Sequence, residues 1–419
     1  MTGGVSGARA VAYLRSIDPR LPRSVWTMEA GGLVNAFGNG ITFPFVVIYL
    51  HNVRGFSLGT AGLVLATNGA MGFVVSPIAG ALSDRIGGRV TLGGALVLMA
   101  IGIGSFPLVR EPWHAFVAMV LAGAGNGGFW PSQSTLLAGL APQARRHAAY
   151  ALQRVSRNLG IGFGGLTGGL IATTADPTSF TILFVVDAAT FLGFVAVLPF
   201  VPDPELPPLE EGARPGRYRD VLHDRLLLGI VGLNIVFVSA GYAQFELMPV
   251  FAKNEAGVSE REIGVIFLVN TLVIVFAQLP IARLLEGRRR MPALALMTVL
   301  WASAWLIVLV AGASLEAATA AAVLALAGLV FGLGECFQGP TQGALVADLA
   351  PPRLRGRYMA LSTISWEIGF IIGPAIGGFV LDRQPLALWP LAAGVCFLAG
   401  VGALALERGI PPALRLTPA

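Results

Sequence analysis

Seven ionisable residues stand inside segments that are otherwise apolar. They are Glu29, Arg154, Arg157, Asp187, Glu246, Glu335 and Glu367. A charge at the centre of a membrane-crossing helix costs roughly 2.5–3.5 kcal/mol on insertion scales, so such residues face a cavity or a partner. Glu335 lies near the middle of its segment, and Gln338 and Gln342 follow at i+3 and i+7, on the same face of a helix. A carboxylate in a low-dielectric polar stripe can exchange a proton for another ligand; the alternative is a hydrogen bond that only fixes helix packing. Asp187 sits among Thr181–Val186, and Glu367 lies opposite Gly369, Gly373 and Gly377 on the helical wheel, turned away from any helix those glycines pack against. Arg154 and Arg157 each demand an acidic partner, for which Asp187 or Glu367 could serve. Glu29 is either interfacial or part of the same proton chemistry, and Glu246 is expected at the outer surface. Asn35, Asn39 and Thr42 share one helical face and, with Asn126, Gln133, Tyr242, Gln338 and Gln342, are candidates to line a cavity. Trp130, Tyr242, Phe245 and Trp366 could give it an aromatic wall. None of this is catalytic: there is no nucleophile motif, no nucleotide-binding G-x-x-x-x-G-K-[S/T] sequence and no His/Cys spacing for a metal, so neither an enzyme nor a cofactor is expected.

The elements that position these residues follow from composition. Of 419 residues 55% are hydrophobic and 12% charged, against about 25% charged in an ordinary soluble domain. The mean hydropathy is +0.74. A chain this apolar has lipid as its solvent. Apolar runs predict twelve transmembrane helices, at 25–50, 59–82, 90–109, 114–140, 148–173, 180–201, 226–251, 262–285, 292–312, 317–347, 358–381 and 386–406. With both termini cytoplasmic, 21 of the 28 Lys and Arg residues fall on the inner side, five on the outer side and two within a span. That asymmetry sets the orientation. It also excludes nucleic acid as partner despite a pI near 9.7, because the charges alternate with spans and form no single basic patch. A cytoplasmic tail (1–24), a polar linker (202–225) and a second tail (407–419) flank two bundles, 25–201 and 226–406.

The bundles repeat one another. Shifted by 209 positions, Gly123–Gly169 meets Gly332–Gly378 without a gap, bringing Pro131 onto Pro340, Gln133 onto Gln342 and Leu140-Ala141-Pro142 onto Leu349-Ala350-Pro351. Six helices per repeat preserve orientation, so the repeats are parallel about an axis along the membrane normal. Gly160, Gly164, Gly168, Gly373, Pro374 and Gly377 fall mid-span, where small residues let helices approach.

Gly80-Ala81-Leu82-Ser83-Asp84-Arg85-Ile86-Gly87-Gly88-Arg89 resembles the signature loop between helices 2 and 3 of the major facilitator superfamily, with Gly88 in place of the usual basic residue. Gly38 and Pro44, Gly334-Glu335, Arg355-Gly356-Arg357-Tyr358 and Gly373-Pro374-Ala375-Ile376-Gly377-Gly378 resemble the drug:proton antiporter branch. Gly165 stands where that branch expects proline, and Met119 about where a buried arginine is common. The resemblance implies an all-α membrane protein of twelve helices in two pseudo-symmetric six-helix bundles. It implies alternating access, with Gly80, Asp84, Arg85, Gly87 and Arg89 forming a gate motif in which Asp84 meets the start of helix 11. It further implies proton-coupled export of small amphipathic substrates across a bacterial inner membrane by a monomer. Five span acids against two arginines favour cationic or neutral substrates. The alternatives are a carrier of one metabolite, sugar or lipid, and a non-transporting receptor or scaffold.

Overall fold

A computed structural model describes residues 21–142, 145–203, 221–351 and 354–417. Twelve long helices account for nearly all of them, because in lipid every backbone N–H and C=O must be satisfied within its own segment. They are α1 (Arg23–Val53), α2 (Leu58–Ile86), α3 (Gly88–Leu108), α4 (Pro112–Leu140), α5 (Arg146–Ile171), α6 (Thr178–Phe200), α7 (Arg225–Asn254), α8 (Glu260–Leu285), α9 (Arg290–Ser314), α10 (Ala317–Leu349), α11 (Arg355–Arg383) and α12 (Leu388–Leu406). Ten are long and apolar enough to cross a membrane. The two that fall short, α4 and α5, carry Asn126, Gln133, Arg154 and Arg157. Both pack along their length against helices that do qualify, α4 on α2 and α3 and α5 on α1 and α8, and so cross with them. Of the expected linker, residues 204–220 lie outside the described residues, as do residues 1–20 of the first tail.

Three helices bend where their sequence removes hydrogen bonds. Pro44 turns α1 through a 3-10 segment, Phe43–Phe45, because proline lacks an N–H and crowds the preceding turn. In α7 a π-turn spans Val238–Tyr242, and the chain breaks at Glu246-Leu247 before Met248–Asn254. In α10 a π-turn spans Gly339–Gly343 around Pro340. The equivalent Pro131 leaves α4 helical throughout.

Glycines set the contacts, since between helices in lipid close packing replaces the hydrophobic drive. Gly160, Gly164 and Gly168 of α5 lie against Leu33–Ile41 of α1, while Gly162, Gly165 and Gly169 of the same helix lie against Thr271, Phe267 and Gly264 of α8. In α11, Gly373 and Gly377 meet Ser239, Ala243, Gln244 and Leu247 of α7, and the Pro374 carbonyl and Gly378 approach Gly62 of α2.

The two halves therefore meet through α2 with α11 and α5 with α8. These contacts lie toward the distal end, away from the chain termini: Gly59 with Phe379, Gly62 with Gly378, Gly69 with Phe370 and Ile371. The buried core confirms the asymmetry. A large apolar cluster runs distally from Phe45, Tyr49 and Phe184 of the first half into Leu247, Met248 and Phe251 of the second. Toward the proximal end the first half keeps a separate core of its own, around Leu92, Leu96, Leu136, Phe191 and Phe194.

The last segment, 407–417, is folded back. It pairs with the α8–α9 loop through Glu286 with Thr417 and Arg289 with Leu416. Arg289 forms a two-pronged ion pair with Glu407 at 2.8 Å. The fully buried Arg290 bonds both the Leu416 carbonyl, at 3.1 Å, and Asp348 at the base of α10, at 2.5 Å.

Candidate functional site

The position of Arg154 and Arg157 follows from the packing of α5. Its Gly160/Gly164/Gly168 row faces α1 and its Gly162/Gly165/Gly169 row faces α8. On a 100° wheel, Arg154 and Arg157 fall between those rows and point into the space enclosed by both halves. Both side chains are exposed there. The Arg157 guanidinium lies over the Trp130 ring of α4, 4.6 Å from its centroid. Arg154 reaches across the divide, its Nη1 packed against Gly339 of α10, where a Cβ would collide with it. Gly339 is one helical turn from Glu335, and the charges of both arginines act on that carboxylate and on the Tyr242 hydroxyl of α7.

This corrects the expected partners. Among the ion pairs of the described residues neither arginine takes part; the acid they face is Glu335, at longer range. Asp187 is instead fully buried between α6 and α1, accepting a hydrogen bond from the Thr42 hydroxyl at 2.6 Å and a long one from Thr190 at 3.5 Å. Gly38 makes this contact possible: any side chain there would strike Thr190 and Asp187. Glu367 is half-buried in the α2–α11 contact, its carboxylate against Gly72.

Other candidates are redistributed. Gln338 and Gln342 are buried and bonded to each other at 3.1 Å, and Gln338 also donates to Asn234 of α7, which in turn donates to Ser365 of α11. They knit three helices of the second half together; Gln338 still lies in the regular helix with Glu335, whereas Gln342 falls in the π-turn, which shifts its register. Asn126 donates to Asn68 of α2 at 3.1 Å. Glu29 is buried, 3% exposed, with Oε1 unpartnered; interfacial exposure is thereby excluded. Its other oxygen and the amide of the buried Gln133 both come within 4 Å of where a side chain on Gly32 would begin. Asn35 is buried with its carbonyl oxygen unpartnered, Asn39 is half-buried, and Thr42 is turned onto Asp187. Glu246 is half-buried at the break in α7, between buried Phe245 and Leu247.

The expected aromatic residues do not form one group. Tyr242 contacts Trp366 at 5.0 Å and Trp301 at 5.1 Å between ring centroids. Phe245 has left it for the core, stacked on Phe331 at 4.8 Å. In the gate motif, Arg85 is exposed, Gly80 meets nothing within 4 Å, and Gly87 takes φ +92°, a conformation that favours glycine. Arg89 donates to the Val201 carbonyl at 3.2 Å and lies 4.0 Å from Asp203. The Asp84 side chain, and with it the expected contact to helix 11, lies outside the described residues. Among the described residues no three His, Cys, Asp or Glu side chains gather to hold a metal.

The sequence reading missed the distal carboxylates. Asp382, at the end of α11, accepts the Leu58 N–H at the start of α2 at 2.9 Å. Glu260, at the start of α8, accepts the Thr174 N–H beyond α5 at 2.9 Å and pairs with Lys253 at 2.8 Å. The 209-residue shift could have flagged them, since it places Asp382 on Thr173, beside Thr174.

A family model described as Major Facilitator Superfamily matches residues 29–259 and 235–419. The chain is 24% identical to the MFS-type transporter YqjV of Bacillus subtilis, over 89% of this chain and 91% of that one. It is 25% identical to the multidrug resistance protein MdtH of Cronobacter sakazakii, over 82% of each. Among solved structures it superposes on the nucleoside transporter NupG with a TM-score of 0.76 at 12% identity, covering 91% of this chain and 99% of that one. On a peptide transporter POT the TM-score is 0.75 at 17% identity, covering 94% and 95%.

Proposed function

The chain belongs to the major facilitator superfamily, a multi-pass membrane transporter, and we propose that it exports amphipathic small molecules in exchange for protons by alternating access. The observation that carries this reading is the placement of Arg154, from one half, against Gly339 of the other, one turn from Glu335. An ionised Glu335 is attracted to the arginines across the divide. A protonated one is not, so proton binding changes how strongly the halves hold each other at their centre. Substrate and proton compete for Glu335: substrate loaded from the proximal side displaces the proton, and a proton entering from the distal side displaces the substrate.

Drug-like substrates are supported by likeness to a protein named for multidrug resistance and by the Trp130, Tyr242 and Trp366 surfaces beside the charges. The excess of arginines on the side of both termini and the linker supports a cytoplasmic proximal end in a bacterial inner membrane. The conformation is then one closed toward the outside. Purified protein in weakly buffered detergent tests the exchange: binding of a transported compound releases protons from the wild type and none from Glu335→Gln. Binding without proton release from the wild type rejects antiport.

A further inference from the structure

We infer that the molecule carried bears a carboxylate or similar oxyanion, held by Arg154 and Arg157, together with a cationic or N–H group for Glu335. This rests on the central site being the substrate site. The span acids outnumber the arginines in the sequence, but the structure withdraws most of them. Asp187 is fully buried against Thr42, Glu29 is 3% exposed, and Glu367 is packed on α2. Among the described residues, the carboxylate on which the charges of both arginines act is Glu335, one turn from the Gly339 that Arg154 touches. Two guanidinium groups against one carboxylate leave the site with one uncompensated positive charge.

Among the described residues neither arginine has a hydrogen-bond acceptor or an ion-pair partner. No described carboxylate lies within 4 Å of either, and in a membrane interior an arginine without an acceptor is costly. Arg157 lies over Trp130, so its cationic face is satisfied by the ring while donors in its own plane stay available. Arg154 is backed by Gly339, whose missing side chain leaves room for the guanidinium. A planar fork of this kind matches an oxyanion, and the neighbouring Tyr242 and Trp366 rings suit an aromatic body. A cation alone would meet net repulsion. A zwitterion sets its oxyanion against the arginines and its cation against Glu335, so each of its charges meets an opposite one, and its cationic end still competes with the proton on Glu335.

The test is equilibrium binding of dansyl-lysine, an aromatic zwitterion, against its methyl ester, in which the carboxylate is capped and its negative charge removed. The wild type is expected to bind the acid at least tenfold more tightly than the ester. That preference is lost in Arg154→Gln/Arg157→Gln and partly kept in Arg154→Lys/Arg157→Lys, which guards against a folding defect. Glu335→Gln weakens both compounds and leaves the acid preferred. Equal binding of acid and ester, or a preference that survives the double glutamine variant, overturns the inference while the central site stands as a substrate site. Failure of both compounds to bind overturns the inference together with the reading of the site on which it rests.

Discussion

Asp382 accepts the backbone N–H of Leu58 at 2.9 Å, and so ties the end of α11 in one half to the start of α2 in the other. The carboxylate sits at the positive end of the α2 dipole, where a negative charge is favoured. Its pseudo-symmetric counterpart runs the other way in chemistry, with Glu260 of α8 accepting the N–H of Thr174 beyond α5. One carboxylate–amide latch on each side of the axis holds the distal end shut, and both must part for the molecule to open there.

Removing both latches shifts the equilibrium toward distal opening. A hydrogen bond to a charged group contributes about 1.5–3 kcal/mol, so Asp382→Ala/Glu260→Ala is expected to raise the distally open population at least tenfold. Spin labels at Trp113 and Glu255, exposed positions on the two halves, measure it. An unchanged distance distribution means the aromatic and glycine contacts alone keep that end closed.

Asp187 is predicted to be structural. Its carboxyl group accepts from Thr42 and Thr190, an arrangement an amide oxygen reproduces. Asp187→Asn keeps thermal stability and transport, whereas Asp187→Ala takes from the buried Thr42 hydroxyl its short acceptor, at a cost of about 1–3 kcal/mol. Unfolding in detergent, followed beside transport, separates this from a coupling role: full stability with lost transport in Asp187→Asn contradicts it.

Much of the architecture was legible in the sequence. The apolar runs marked twelve helices, the 209-residue repeat paired the halves, and the glycine rows of α5 and α11 announced close helix contacts. The site was legible in its members and not in its pairings. A wheel places Arg154 and Arg157 on one face of α5 but cannot say which helix lies opposite. Asp187 looked available to them until Gly38 brought α1 onto it. Gln342 looked like a continuation of Glu335 because the spacing assumed a regular helix, and the π-turn at Gly339–Gly343 has no simple sequence counterpart: Pro131 occupies the same place in α4 without one. The latches escaped because each pairs a side chain with a backbone N–H, which carries no residue signature.

The folded-back 407–417 segment makes the second half a stiffer body. Asp348→Ala, or deletion of residues 411–419, deprives the buried Arg290 of an acceptor and is expected to lower stability by about 2 kcal/mol, read as a lower unfolding temperature. Transport per folded molecule should change little. A large loss of transport with unaltered stability contradicts a purely bracing role.

The central claim is that Glu335 exchanges protons for substrate, and proton movement in proteoliposomes tests it most directly. Purified protein is reconstituted with an internal pH dye under an imposed pH gradient, and a panel of amphipathic compounds is added to wild type and to Glu335→Gln. The account predicts substrate-dependent proton flux in the wild type and none in the variant. Movement of labelled substrate with no proton flux in the wild type, or equal flux in Glu335→Gln, contradicts it.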